Sequence, residues 1–237
     1  MPERKPQPEQ SEQSERVEQL VALAPMRNGR LLLALGEVDR WQVGQGYQMA
    51  PVELIGGPCA PTSSPTDELR RLAEARLNCD AAITPSAHVY GPSTKHAIDR
   101  LAADPTDPME TPTPLLRLRR MLPRDDETGA DVRPIDVRVY LARLAGNLLP
   151  YAGVPALLWL TPTALRRVIG GLSLGELLTS AGATIQTRPD ITLADDLLLY
   201  CPGEYGERYL LRIAAKYGPA ALLQEDYVAP LHNTPLL

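Results

Sequence analysis

None of the 237 residues is phenylalanine, and aromatic residues make up only 5% of the chain. Any core must therefore be built from leucine, valine, isoleucine and alanine, within a hydrophobic content of 44%. The chain is long enough for one good-sized core or two small ones. Its 24 prolines limit how far any helix or central strand can run.

The charge pattern excludes several classes of function. The formal net charge is −5, which argues against nucleic acid as the main partner, since that needs a basic footprint. The cysteines Cys59, Cys79 and Cys201 are odd in number and widely spaced. No C-x-x-C pair occurs, so neither a zinc site nor a disulfide framework is expected, and a reducing cytoplasm is the simplest home. His88, His96 and His232 form no H-x-x-x-H or H-E-x-x-H pair, so no metal is expected. Phosphate-binding loops of the G-x-G-x-x-G or G-x-x-x-x-G-K-[ST] type are absent, as is a G-x-S-x-G elbow. The first 15 residues, "MPERKPQPEQSEQSE", lack the apolar segment of a signal peptide. The apolar run at 148–160 holds two prolines and is too short to span a bilayer.

Three regions are expected. Residues 1–16 read as a disordered tail, with nothing to bury. Residues 17–64 read as an N-terminal extension with a short helix at 17–24 and strands within 29–57. Residues 65–237 form the main domain. Within it, helical signals cover 66–77, with Thr66 at the N-cap, and 91–102, capped by Ser93 or Thr94. Two more helices are expected at 161–170 and 172–182. Strand signals cover 115–122 and 135–149. In the second, Val137, Val139 and Leu141 share one face, and Arg138, Tyr140 and Ala142 the other. Residues 154–160 are expected to return beside that strand. "YGERYLLRIAAKYGPAALLQEDYVAP" (205–230) reads as two apolar strands joined by a tight turn at "KYGP", pairing antiparallel. Helices and hairpins mix without βαβ alternation, which predicts an α+β fold: an antiparallel β-sheet flanked by helices.

Three segments in this order resemble the chorismate lyase (chorismate–pyruvate lyase) family. "YGERYLLRIAAKYGPAALLQEDYVAP" resembles its final hairpin, with an acid before a proline. "LSLGELLTSAGATIQTR" (172–188) resembles its P-L-G helix and the stretch that follows. "GPSTKHAIDRL" (91–101) resembles its early helix, and "VRVYLARL" (137–144) lies where the family has its pocket-arginine strand. The similarity covers about residues 66–237. Ser173 stands where the family has proline, and the first 60 or so residues have no counterpart. "VYGPSTKHAIDRL" also resembles a peptidoglycan-binding repeat and a recognition helix, although an ordinary capped helix is the simpler reading.

The resemblance implies an enclosed ligand pocket and a cytoplasmic carbon–oxygen lyase, with no cofactor, that converts chorismate to 4-hydroxybenzoate and pyruvate, as at the entry to ubiquinone biosynthesis. A dicarboxylate needs an arginine clamp. Arg138 matches that clamp, with Arg143 as the alternative register; a solvent-facing strand residue is the plainer reading. Glu225 matches the acid near the substrate hydroxyl, with Asp226 as its alternative on the opposite face. Leu174 matches a pocket leucine or is simply core. Ser93 falls at a pocket-lining position, and Arg188 and Arg208 add positive charge or form surface ion pairs. The fold family also holds non-catalytic modules, so a module sensing an aromatic or sugar acid is the second reading.

Overall fold

Strand β1 (Glu18–Arg27) sits at the centre of the molecule, and its two faces define the architecture. Leu20, Ala22 and Ala24 enter one hydrophobic core, while Val21 and Leu23 enter another. A strand buried on both faces reads as an unbroken apolar run without period-2 alternation. That is why "VEQLVALA", expected as a helix, is a strand. The same split recurs in β2 (Arg30–Leu35), where Leu31, Leu33 and Leu35 face the first core and Leu32 and Ala34 the second. The computed structural model describes residues 17–223, apart from 45, 95, 96, 105, 124–131, 181 and 219.

After a short 3-10 turn at Val38–Arg40 come β3 (Gln42–Gly44), β4 (Tyr47–Glu53) and β5 (Ile55–Pro58). Residues 17–64 thus supply five strands of the sheet, and β1 is flanked by β5 and by β10 (Val132–Ala145). Helix α1 (Pro65–Leu77) follows, with Pro65 in its first turn and Asn78 closing it in the left-handed region at φ 50°. Its Leu69, Leu72, Ala73 and Leu77 form the second core with Tyr140. The chain continues through β6 (Asp80–Thr84), β7 (Val89–Pro92), β8 (Ile98–Leu101) and β9 (Leu116–Pro123) to β10.

The remaining elements are β11 (Ala156–Leu160), α2 (Pro162–Gly170), β12 (Leu172–Ser173), α3 (Leu174–Ser180), β13 (Thr184–Thr187), β14 (Leu198–Tyr200), α4 (Glu207–Tyr217) and α5 (Ala220–Leu223). Helices α2, α3 and α4 bury Leu165, Val168, Leu177, Leu210 and Ile213 in the first core. A sheet network therefore lies between α1 on one face and α2–α4 on the other. Its strand order runs β12-β14-β4-β2-β1-β10-β9-β7-β8.

The expected antiparallel sheet is corrected by three parallel pairings: β1 with β10, β4 with β14, and β7 with β9. Strands β1 and β10 lie far apart in sequence, so no turn signal announces their pairing. Strand β11 pairs with β2 and β13 rather than with β10.

Two further expectations are corrected. Residues 91–102 form a β7–β8 hairpin instead of a helix. Ser93 N–H donates to the Ala97 carbonyl at 3.2 Å, and Thr94 Oγ1 accepts from Ala97 N at 3.1 Å. A Ser/Thr pair serves a turn as readily as an N-cap. The first half of the expected terminal hairpin is helix α4. Its buried residues Glu207, Leu210 and Ile213 follow a helical repeat, and Glu, Arg, Leu, Ala and Lys all favour helix. The expected helix at 161–170 forms as α2. Thr161 Oγ1 accepts from Ala164 N at 3.1 Å, so Thr161→Ala is expected to cost about 1 kcal/mol in urea unfolding.

Candidate functional site: an arginine-lined cleft

The sequence of β9, Leu-Arg-Leu-Arg, alternates, so its apolar and charged residues part to opposite faces. Leu116 and Leu118 enter the first core. Arg117 and Arg119 face the other way. On β10, Ile135, Val137 and Val139 enter the same core, leaving Asp136, Arg138 and Tyr140 on the face that α1 shares. The antiparallel register sets Arg119 opposite Asp136 and Arg117 opposite Arg138. Together with Pro92 of β7 and Leu101 of β8, these residues line a cleft of about 380 Å³. That size suits a small molecule.

Two arginines placed directly opposite one another repel unless carboxylates intervene. Asp136 of β10 is one such acid, and the β8–β9 connection supplies two more. Arg117 pairs with Glu110, whose side chain is almost fully buried. The other Glu110 oxygen accepts from Asp104 N at 2.5 Å. Arg138 is 4% exposed and pairs with Asp136 and, at 3.1 Å, with Asp107 Oδ2. Asp107 Oδ1 in turn accepts from Met109 N at 2.8 Å. Tyr140 donates its hydroxyl to the Met109 carbonyl, and burial pushes its pKa well above the ordinary phenol value. Burial also pushes the Asp136 carboxyl above the usual aspartate range, against the pull of Arg138.

Arg119 differs from its neighbours. It is exposed, and among the described residues no hydrogen bond or ion pair engages its guanidinium. Arg138 Nε is buried without a partner among the described residues. The lining residues include no thiol, hydroxyl or imidazole. They can grip an anion and accept hydrogen bonds at Asp136. Among the described residues, no group of three His, Cys, Asp or Glu is placed to hold a metal ion. A second cleft, of about 450 Å³, is lined by Arg27, Asn28, Arg30, Trp159 and Thr184.

Of the residues singled out from the sequence, Arg138 lines the first cleft. Arg143 is exposed further along β10, opposite Ala82 of β6. Ser93 is exposed at the β7–β8 turn, beside Pro92. Leu174 is buried in the first core, on the opposite face of the sheet from Arg138. Arg188 pairs with Asp190 at 2.6 and 2.9 Å, and Arg208 donates to the Cys201 carbonyl at 3.1 Å. Glu225 and Asp226 lie outside the described residues. The charged cleft residues that sequence reasoning passed over are Arg117, Arg119 and Asp136. Their signal was the alternation of β9 and β10. Asp107 and Glu110, which hold the arginines in place, had none.

No family model matches this chain, and no curated protein does. Solved structures similar to it include the ORF135 protein of E. coli, with 18% identity, 65% of this chain and 80% of that chain covered, and a TM-score of 0.38. An ADP-ribose pyrophosphatase from Streptococcus suis has 14% identity, coverage of 62% and 75%, and a TM-score of 0.36. A Nudix-family hydrolase from Clostridium perfringens has 13% identity, coverage of 64% and 85%, and a TM-score of 0.36. Likeness at these TM-scores transfers neither fold nor chemistry.

The chorismate lyase resemblance is corrected on the chain's own geometry. The segment likened to the first strand of the closing hairpin is helix α4, the one likened to the early helix is the β7–β8 hairpin, and the sheet is mixed. The matched residues Arg138 and Leu174 occupy opposite faces of that sheet. The enclosed pocket, the carbon–oxygen lyase activity, chorismate as substrate, the link to ubiquinone biosynthesis and the sensing module of the same fold all fall with it. No helix among the described residues is long and apolar enough to cross a membrane.

Proposed function

We propose that the β9–β10 cleft binds a small molecule that carries a phosphate group and hydrogen-bond donors. The observation that carries this reading is the pair Arg119–Asp136, set opposite one another on the cleft floor. Arg119 offers a guanidinium fork that is unengaged among the described residues and matches a phosphate bidentately. Asp136 accepts from a hydroxyl or amine of the same ligand. Arg117, held by Glu110, shares the face of Arg119 two residues away and adds its charge beside the bound phosphate. Pro92 and Leu101 supply apolar wall for a ring. Free cysteines at 59, 79 and 201, all buried, support a reducing compartment such as the cytoplasm.

Adenosine monophosphate is a suitable probe. Calorimetric titration is expected to give binding that weakens with added salt. Arg119→Glu is expected to weaken it at least ~10-fold, the scale of a lost charge-assisted hydrogen bond. Glutamate there also sets like charges opposite Asp136, so Arg119→Ala is the stability control: its melting temperature should hold, because Arg119 is exposed and, among the described residues, unpaired. Equal affinity in wild type and Arg119→Glu, or no binding by either, contradicts the reading.

A further inference from the structure

The β1–β2 hairpin holds another pair of opposed arginines. Asn28 and Gly29 take φ 50° and 70°, the positive values that a tight turn matched to strand twist requires. The turn sets Arg27 of β1 directly opposite Arg30 of β2. Val21 and Leu23 of β1, and Leu32 and Ala34 of β2, enter the second core, so alternation places both arginines on that same face. Trp159 of β11 packs against this core, opposite Leu32 on one side and Thr184 of β13 on the other. Arg27, Asn28, Arg30, Trp159 and Thr184 line the cleft of about 450 Å³.

Like charges set directly opposite one another destabilise a strand pair. In the first cleft the opposed Arg117 and Arg138 are relieved by Glu110, Asp107 and Asp136. Here no acid lines the cleft, and among the described residues neither arginine has an ion pair. Arg27 is exposed, and among the described residues nothing engages its guanidinium. Arg30 crosses β11 to donate to Thr184 Oγ1 at 3.4 Å, at the long end for such a bond. Its guanidinium therefore lies at the level of Trp159, the residue opposite Thr184.

We propose that this cleft binds an aryl phosphate, a phosphate monoester whose ester oxygen is bonded directly to an aromatic ring. The phosphate lies between Arg27 and Arg30 and takes charge-assisted hydrogen bonds from both guanidinium groups, which relieves their repulsion. It replaces the long contact to Thr184, whose hydroxyl is then free to donate to the ligand, as is the Asn28 amide. The ring lies against the indole of Trp159. Trp159 is opposite Leu32, two residues from Arg30 on the same face, so the two are diagonal neighbours within side-chain reach. Ring and anion must accordingly be close together in the ligand. The cleft has no counterpart of Asp136, so it offers no carboxylate to receive an amine. This reading is independent of the first cleft.

The chain has two tryptophans, which gives the test an internal reference. Trp41 donates its indole N–H to the Gly36 carbonyl at 2.9 Å and does not line the cleft. When the full chain is titrated with phenyl phosphate and followed by NMR, the Trp159 indole N–H signal should shift and saturate while that of Trp41 stays. Inorganic phosphate, with no ring to stack, should bind about 5-fold more weakly. Arg27→Ala should weaken phenyl phosphate binding at least ~10-fold. It should keep its fold, because Arg27 is exposed and, among the described residues, unpaired. An unmoved Trp159 signal overturns the proposal, as does equal affinity for inorganic phosphate or unchanged affinity in Arg27→Ala. A shift confined to Arg119 also overturns it and leaves the reading of the first cleft standing.

Discussion

Replacing Arg138 with alanine is expected to destabilise the protein by about 3 kcal/mol, the lower end of the cost of breaking a buried ion pair. The side chain is 4% exposed and pairs with both Asp136 and Asp107. Its removal leaves two carboxylates near each other, partly shielded from water, with Arg117 already committed to Glu110. Most of the cost is that uncompensated charge rather than lost packing. The defect should therefore shrink at acidic pH. Without the guanidinium, the buried Asp136 carboxyl gains a proton more readily in the folded state than in the unfolded one. Stability is then recovered as pH falls through its raised value and lost as it rises. Urea unfolding of wild type and Arg138→Ala near pH 5 and near pH 8 checks both the size and the sign. A loss under about 1 kcal/mol, or one that grows in acid, contradicts the assignment of Arg138 as the neutralised centre of the network.

Gly206→Ala is expected to cost about 2–4 kcal/mol, from backbone strain and overpacking together. Gly206 sits at φ 90°, where a Cβ is disfavoured. A Cβ there would meet Leu118 Cδ1 at 2.4 Å and Leu116 Cδ2 at 2.8 Å. Both leucines are essentially fully buried in the first core, so they have no free space to yield. Gly203 supplies the internal control. It has φ 74°, but its added Cβ would meet only the Arg208 side chain, at 3.5 Å. Gly203→Ala should show the backbone strain alone, about 1 kcal/mol. Thermal melts separate the two, since 1 kcal/mol moves the midpoint of a chain this size by about 2–4 °C. Equal midpoints for the two variants would show that α4 does not start in close contact with β9.

The charged face of the cleft was legible locally, and the architecture around it was not. The alternation in "LLRLRRML" and "IDVRVYLARL" marks both segments as strands and parts their apolar and charged faces. Helix α2 was legible for a similarly local reason, a Thr-Pro start and a glycine end. Strand β1 was not, because burial on both faces erases the alternation that identifies strands. Its parallel partner β10 is distant in sequence and no hairpin links them. Helix α4 had a helical repeat at Glu207, Leu210 and Ile213, but likeness to a strand-forming family segment overrode it. Asp107 and Glu110 were illegible as site residues, since an irregular connection carries no periodicity to show which acids fold back onto β9 and β10.

The cleft reading is tested most directly by observing the arginine side-chain N–H groups by NMR during a titration with adenosine monophosphate. Shifts that saturate at Arg119, with smaller ones at Arg117, are the expected result. Unmoved Arg117 and Arg119 signals would contradict it, most clearly if those of Arg27 and Arg30, at the second cleft, moved instead.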